Sequence, residues 1–141
     1  MKTEIIGVVS TEAEAAKLSF EAGKLISSSS ARTFADGMAV ASPVEEAFEL
    51  YSKGASRIVA VSEDEVAEAI RILFSATHNV AEGAGAAALA AAIQERDKKV
   101  RNKNVAVVLS GGNIDTNVLT EILQGETPII NRFFEIRWQL T

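Results

Sequence analysis

The sequence predicts an α/β fold: a partial doubly wound parallel sheet of about three to four strands, with helices on both faces in a three-layer α/β/α arrangement. Two observations favour this class. Short apolar runs, typical of strands buried on both faces, alternate with segments of helical periodicity. A glycine-rich turn directly follows the last of these runs, in the position where open α/β sheets bind their ligands.

Three apolar runs are the predicted parallel strands, at residues 5–9, 57–61 and 105–109. A fourth strand is predicted in the tail, where apolar residues from Phe134 to Leu140 alternate with polar ones, the period of a half-buried strand. We therefore divide the chain into residues 1–125, the main unit, and a strand-like tail at residues 126–141. The tail is expected to be an edge strand or to pair with a second copy of the chain.

The first three helices are predicted from the capping-box spacing, in which a glutamate follows a hydroxyl residue by three positions. The pairs are Thr11 with Glu14, Ser42 with Glu45, and Ser62 with Glu65. We expect glycines to end the first two of these helices, at Gly23 and Gly54.

The later helices follow from composition and capping. An alanine-rich helix is predicted from Ala86 to about Arg96, and a short helix from a cap at Asp115 to Leu123. The segment 24–37 has no periodicity and is predicted to be a long loop. Loops of this length inside compact domains are usually functional or disordered.

Composition and charge exclude several classes of protein. The chain has no cysteine, which excludes disulfides and thiolate metal sites. A formal net charge of −5 without a basic stripe argues against a nucleic-acid partner. The most apolar stretch, residues 84–93, is too short to span a bilayer, and no signal peptide is evident. We therefore expect a cytoplasmic protein without a membrane partner.

Three glycine-containing strings are candidate functional segments: Ser110–Asp115 (SGGNID), Glu82–Ala90 (EGAGAAALA) and Thr33–Gly37 (TFADG). Each has a structural alternative. For SGGNID it is a glycine turn, and for EGAGAAALA it is a tight helix–sheet contact that needs small side chains. For TFADG it is a common Asp-Gly turn. For the glycine pair alone and for the alanine-rich string alone, the structural alternative is favoured. The six-residue SGGNID string is far more specific.

Two further polar features are predicted to be structural. The lone His78 is expected to be a structural or surface residue. The acidic run Glu63–Glu65 lies in the first turn of a predicted helix, where it favours the helix dipole. We therefore assign this run neither a metal site nor a catalytic pair.

Four strings occur in one order along the chain: Thr33–Gly37 (TFADG), Val61–Glu65 (VSEDE), Val80–Ala87 (VAEGAGAA) and Val107–Asp115 (VVLSGGNID). In this order they resemble the fold type II pyridoxal-phosphate (PLP) enzymes, of the tryptophan synthase beta-like superfamily. Within these, they resemble the threonine/serine dehydratases and the related serine racemases. The chain is similar to the C-terminal half of such a catalytic domain. The resemblance covers roughly residues 5–123 and is not evident from Thr127 onward.

The resemblance implies a reaction and a set of site residues. The reaction is loss of water and ammonia from L-threonine or serine, with a 2-oxo acid as product. The residues implied around PLP are Ser110, Gly111, Gly112, Glu82, Gly83, Asp36 and Gly37. Ser110 would face the pyridine nitrogen, where a neutral hydroxyl leaves the ring a milder electron sink than a carboxylate would. Asn113 matches a position that borders a nucleotide effector site in some catabolic members.

The same resemblance implies features that this sequence lacks. In the family, the PLP lysine lies in an N-terminal Ser-x-Lys-x-Arg-Gly motif and a glycine-rich loop holds the phosphate, and neither is found here. We therefore expect no catalytic residue in this chain, no covalent attachment of PLP, and no activity by the chain alone. The positions that match a cation site in some members are Val9 and Ala15, so no metal is expected.

Two hypotheses remain open. In the first, the chain is half of an enzyme, and an N-terminal half supplied in trans would restore the reaction. In the second, it is a non-catalytic domain for small-molecule binding or scaffolding that derives from the same family. Half of a catalytic domain leaves apolar surface uncovered, so we expect a homo-oligomer.

Overall fold

The computed structural model describes residues 3–129, and within them it contains two strands and five α-helices. In chain order these are β1 (Ile6–Ser10), α1 (Ala15–Ala22), α2 (Glu45–Gly54), β2 (Arg57–Val61), α3 (Glu63–Thr77), α4 (Gly83–Gln94) and α5 (Thr116–Leu123). A short 3₁₀ turn, Asp36–Met38, interrupts the long loop between α1 and α2. No helix in the described range is long and apolar enough to cross a membrane.

The two strands are parallel, with Ile6 opposite Arg57 and Ser10 opposite Val61. The connection between them runs through α1, the long loop and α2. Helices α1 and α4 both pack against strand residues. The α/β class and the parallel pairing are therefore confirmed, and both strands end at the same edge of the sheet.

The hydrophobic core lies between α3, α4 and α5. Its largest fully buried apolar side chains are Ile70, Val66, Ile122 and Val61, and the alanines of α4 complete it. Alanine side chains let α3 and α4 approach closely, which explains why a helix with so little side-chain volume is still firmly packed.

Only one of the three predicted capping boxes forms. At the start of α3, the Ser62 hydroxyl accepts from Glu65 N at 3.2 Å and the Glu65 carboxylate accepts from Ser62 N at 2.7 Å. The prediction of a capping box at Thr11 is wrong. Thr11 N donates to Val61 O at 2.9 Å and so extends the strand pairing. Helix α1 cannot start until Ala15, and no side chain caps it.

The box predicted at Ser42 is also wrong. Helix α2 begins at Glu45, with Val44 at the N-cap position and no side-chain cap. The Ser42 hydroxyl is 2.8 Å from the Ser27 hydroxyl in the long loop, to which it donates instead. The predicted helix end is better placed, since Gly54 is the last residue of α2.

The remaining helix ends follow the prediction closely. Gly23 ends α1 in the left-handed conformation at φ 66°. The Asp115 carboxylate caps α5 by accepting from Asn117 N at 2.8 Å. Helix α4 begins at Gly83, three residues before the predicted Ala86. Sequence rules penalise two glycines in a first turn, but here packing overrides that penalty.

The strand predicted at 105–109 does not form. None of its backbone groups is hydrogen-bonded to another described residue. Its apolar side chains are exposed, from 39% at Leu109 to 72% at Val108. A strand needs a hydrogen-bonded neighbour, and residues 3–129 offer none. The described sheet thus has two strands where the sequence predicts three or four. The strand predicted in the tail, with residues 130–141, lies outside the described residues.

Candidate functional site

Three segments that are far apart in the sequence meet at the beginning of α4. They are Thr33–Gly37 in the long loop, Glu82–Gly85 at the helix start, and Ser110–Asn113 before α5. We call this meeting point the glycine junction. It brings together all of the residues that the sequence singles out as a cofactor site.

The closest approach in the glycine junction is between backbones. A Cβ atom on Gly85 would lie 2.5 Å from the carbonyl oxygen of Gly111. That carbonyl also accepts from Glu82 N at 3.0 Å. A Cβ on Gly112 would lie 2.7 Å from the carbonyl oxygen of Val80. Glycine is required at positions 85 and 112 because any side chain would overlap backbone atoms.

The long loop packs against the same helix start. A Cβ on Gly83 would lie 2.6 Å from the Ala35 Cβ, and one on Gly37 would lie 2.9 Å from the Ala84 Cβ. Small residues in the EGAGA string therefore do serve close packing, as the structural alternative predicts. The neighbours are two loops, however, and not a sheet.

Glu82 holds the Ser110–Asn113 segment with both its backbone and its side chain. Its carboxylate accepts from Asn113 N at 3.1 Å and occupies the space into which a side chain at Gly111 would project. Glu82 is thus engaged by the protein itself, and it fixes the segment that carries Ser110.

Sequence reasoning missed the most highly connected carboxylate at this edge of the sheet, that of Glu63. Its Oε1 accepts from the hydroxyls of Ser10 and Thr33, both at 2.8 Å, and its Oε2 accepts from Phe34 N at 2.8 Å. The helix dipole accounts for none of these contacts. One signal was available: the Ser62 cap places Glu63 at the first helical residue, two residues after the end of β2.

Four of the polar residues that the sequence analysis discusses are accessible to solvent. Ser110 is exposed, and its hydroxyl has no hydrogen bond to any of residues 3–129. Asp36 is exposed and accepts from Gly37 N at 2.8 Å, which is the predicted Asp-Gly turn. Asn113 is exposed, with its N–H on Glu82. His78 is exposed at the end of α3, as predicted, with φ 57°.

Helix α4 is also fixed at its far end, so its first turn is held in place. Arg57 of β2 binds the Glu95 carboxylate through both terminal nitrogens, at 2.5 and 2.6 Å. The hydrogen bonds that Arg57 donates to Glu95 raise the already high pKa of Arg57, and the nearby Glu4 acts in the same direction. Gln94 adds a bond from its side-chain amide to Ala60 O at 3.1 Å.

No group of three histidine, aspartate or glutamate side chains with the arrangement of a metal site is found in the part of the chain that the structure describes. At the two positions that match a cation site in some dehydratases, Val9 is half-buried and Ala15 is fully buried.

A parallel sheet with a loop, a helix start and a glycine turn converging on one edge defines an α/β protein, and this is the edge at which open α/β sheets bind their ligands. Comparison with known proteins identifies the family. Residues 1–111 match the family model described as "Pyridoxal-phosphate dependent enzyme". The chain belongs to this family.

The similar curated proteins are threonine ammonia-lyases and dehydratases. An L-threonine ammonia-lyase of Thermotoga maritima is 39% identical over 122 residues, which are 86% of this chain and 30% of that protein. The catabolic L-threonine dehydratase of Escherichia coli K12 is 34% identical over 84% of this chain and 36% of its own length. The chain therefore spans about a third of the length of the curated relatives it matches.

One relative also extends the range of the resemblance. An L-threonine ammonia-lyase of Geobacter sulfurreducens is 35% identical over 136 residues, 96% of this chain and 34% of that protein. A match this long includes most of the residues from Thr127 onward. In this relative the resemblance, which is not evident in the sequence from Thr127 onward, extends into the tail.

Solved structures show the same relationship. The processed form of threonine deaminase isoform 2 from Solanum lycopersicum superposes with a TM-score of 0.81 at 32% identity, over 86% of this chain and 36% of that one. A maize serine racemase superposes with a TM-score of 0.75 over 86% of this chain and 38% of its own. Its 23% identity supports the fold alone.

Proposed function

We propose that this chain forms the ring-nitrogen side of the PLP site of a threonine/serine dehydratase, an enzyme that converts L-threonine to 2-oxobutanoate and ammonia. The observation that carries the proposal is the glycine junction. It places Ser110, Glu82 and Asp36–Gly37 together, although these residues lie far apart in the sequence. The names of the similar proteins support the reaction class.

The residues present fit the nitrogen side of a pyridine ring. Ser110 offers an exposed hydroxyl that no described residue engages, and a hydroxyl can donate or accept without carrying charge. The segment around it is held rigidly, because Gly111 contacts Gly85 and Asn113 donates to Glu82. When bound, PLP supplies the electron-withdrawing ring on which loss of the α-proton and the β-hydroxyl depends.

The roles of the chain's own residues then follow. Ser110 would hydrogen-bond the ring nitrogen, and Glu82 keeps Ser110 in place through the Gly111–Asn113 backbone. Asp36 and Gly37 would lie near the cofactor and substrate. Their turn is fixed to α4 by the contact between Gly37 and Ala84.

We further propose that the lysine that holds PLP comes from outside these 141 residues. The nearest lysine-x-arginine string, Lys99-Val100-Arg101, lies in an exposed connector after α4 and is followed by Asn102 where the family motif has glycine. By itself the chain then lacks both covalent attachment and the phosphate loop. We infer that it does not turn over L-threonine unaided.

The test is release of 2-oxobutanoate from L-threonine with added PLP. We expect no release by the purified chain. Release should appear when the chain is combined with the part of the T. maritima lyase that lies outside the match, and should fall when Ser110→Ala replaces the wild type. The intact T. maritima lyase is the positive control.

Two results would contradict the proposal. If the chain alone reaches about 1% of the intact lyase, a barrier difference of only roughly 3 kcal/mol, and Ser110→Ala abolishes that activity, one of its own lysines holds the cofactor. If the combination is well associated yet inactive, the chain is not a functional part of the site.

A second function is favoured by a different observation, the exposed apolar segment at 105–109. A non-catalytic domain that self-associates would cover this segment against a second copy of the chain. Such a domain could retain small-molecule binding at the glycine junction without any lysine chemistry. Release of 2-oxobutanoate by the combination with the T. maritima lyase part separates a half-enzyme from such a domain, since the exposed segment would promote self-association of either.

A further inference from the structure

We propose that Glu63 is the positioning residue for the loop Thr33–Gly37. It fixes this loop between the carboxyl ends of the two strands and the beginning of α4. Only the link from the loop to cofactor binding rests on the proposed function.

The Glu63 carboxylate has a nearly complete set of donors, and all come from elements other than its own helix. Oε1 accepts from Ser10 at the end of β1 and from Thr33 in the loop, and Oε2 accepts from the backbone of Phe34. Ser10 is fully buried and Thr33 is 7% exposed. Hydrogen bonds to a charged acceptor are stronger than hydrogen bonds between neutral groups. They become stronger still where water is excluded.

The contacts continue from the carboxylate to the glycine junction. The Thr33 hydroxyl accepts from Ala35 N at 3.0 Å, and Ala35 is the residue that packs against Gly83. Gly37 then packs against Ala84. Because these contacts are tight, a small shift of Thr33 would either press Ala35 into α4 or separate the two. Glu63 therefore sets the position of Asp36 and Gly37 without touching either.

The three donors require an acceptor-only group. A glutamine at this position has one oxygen and one NH2 group. If its oxygen faces the two hydroxyls, its NH2 faces the N–H of Phe34. If it is turned round, the hydroxyl protons of Ser10 and Thr33 lose their acceptor. Glu63→Gln is therefore nearly isosteric, yet it leaves at least one of the three donors unsatisfied.

Backbone amide hydrogen exchange, followed residue by residue by NMR, tests the proposal on the full chain. In Glu63→Gln we expect the amides of Phe34 and Ala35 to exchange roughly tenfold or more faster, since a lost bond to a charged acceptor has at least that effect. Amides in the middle of α4 should be unchanged. The matched control is Glu68→Gln, on the same helix, which removes only a surface pair with Arg71.

A second variant keeps the test informative if Glu63→Gln unfolds. Thr33→Val removes the hydroxyl but leaves the carboxylate and its bond to Phe34 N. We expect the Ala35 amide to lose protection while the Phe34 amide keeps it. Unchanged protection of both Phe34 and Ala35 in Glu63→Gln would overturn the proposal. Equal acceleration throughout the chain would also overturn it, because Glu63 would then support overall stability only.

The link to the cofactor is measured separately, on the chain combined with the part of the T. maritima lyase that lies outside the match. The probe is pyridoxine 5′-phosphate, which has the ring and phosphate but no aldehyde to react with lysines. We expect wild type to show chemical-shift changes at Ser110–Gly112, with weaker binding in Glu63→Gln and not in Glu68→Gln. If wild type shows no change, the proposed function fails for this chain. The exchange data still decide whether Glu63 positions the loop.

Discussion

Gly85 and Gly111 are in direct backbone contact across the glycine junction. A Cβ on Gly85 would lie 2.5 Å from the Gly111 carbonyl oxygen and 3.0 Å from its nitrogen. These neighbours are backbone atoms, so they cannot rotate away as a side chain could. Helix α4 and the segment that carries Ser110 therefore keep their spacing only while position 85 has no side chain.

Gly85→Ala should lower the free energy of unfolding by about 1–3 kcal/mol, the usual cost of overpacking a closely packed site. This is the reverse of the helix preference, which favours alanine over glycine by roughly 1 kcal/mol. Unfolding in urea, monitored by circular dichroism, measures the change in the free energy of unfolding. The control is Gly54→Ala, where a Cβ would meet nothing within 4 Å, and stability should stay level or rise. Stabilisation by Gly85→Ala would show that the contact is not tight.

Ser62→Ala should lower the free energy of unfolding by about 1 kcal/mol, because it removes the cap of α3. Ser42→Ala has the same sequence context, a serine three residues before a glutamate, yet its side chain caps no helix. We expect it to change stability by less than about 0.5 kcal/mol. Thermal unfolding of both variants compares the two, and equal losses would mean that Ser42 does cap α2.

Arg57→Lys should lower the free energy of unfolding by about 1 kcal/mol, because an ammonium cannot reproduce the paired contacts with Glu95. The same exchange at Arg96 should have no measurable effect, since its bond to Asp97 joins two exposed side chains. Chemical unfolding at low and high salt measures both. A loss at Arg57 no larger than at Arg96 would show that the paired geometry contributes nothing.

Tyr51 provides a prediction for alkaline pH. Burial raises its pKa above the ordinary value of 10.0, an effect that the nearby Ser19 partly opposes. Its hydroxyl is buried and finds no hydrogen-bond partner among the described residues. As pH rises past 10.0, the unfolded chain loses this proton before the folded one does, so deprotonation favours unfolding.

Tyr51→Phe should therefore equal or slightly exceed wild type in stability at neutral pH, and its advantage should grow above pH 10.0. The edge-on contact with Phe48, at 5.6 Å between ring centres, is kept. The chain has a single tyrosine, so its phenolate absorbance reports Tyr51 alone. Parallel stability curves for the two proteins across pH 10.0 would refute the assigned direction.

Val108→Glu should reduce self-association if the exposed segment 105–109 packs against a second copy of the chain. Sedimentation velocity over a range of concentrations measures this. The control is Leu50→Glu on α2, where the leucine is 76% exposed but has no adjoining run of apolar residues. A wild-type chain that stays monomeric at all concentrations would rule out the oligomer.

The sequence by itself determined the features that depend on local chemistry. The parallel α/β class follows from apolar runs and helical periodicity, and β2 was predicted at its observed bounds. The Ser62 box, the Asp115 cap and the left-handed Gly23 need only nearby residues, so their patterns were sufficient. The four strings that resemble the PLP-dependent dehydratases are equally local.

Only the tertiary structure decided the rest, because each remaining feature depends on a partner distant in the sequence. Thr11 resembles a helix cap but pairs with Val61, fifty residues further along the chain. The apolar run at 105–109 resembles a strand but has no neighbour to bond among the described residues. Glu63 resembles an ordinary acid in a first helical turn. It becomes the acceptor of three donors because the fold brings β1 and the long loop to it.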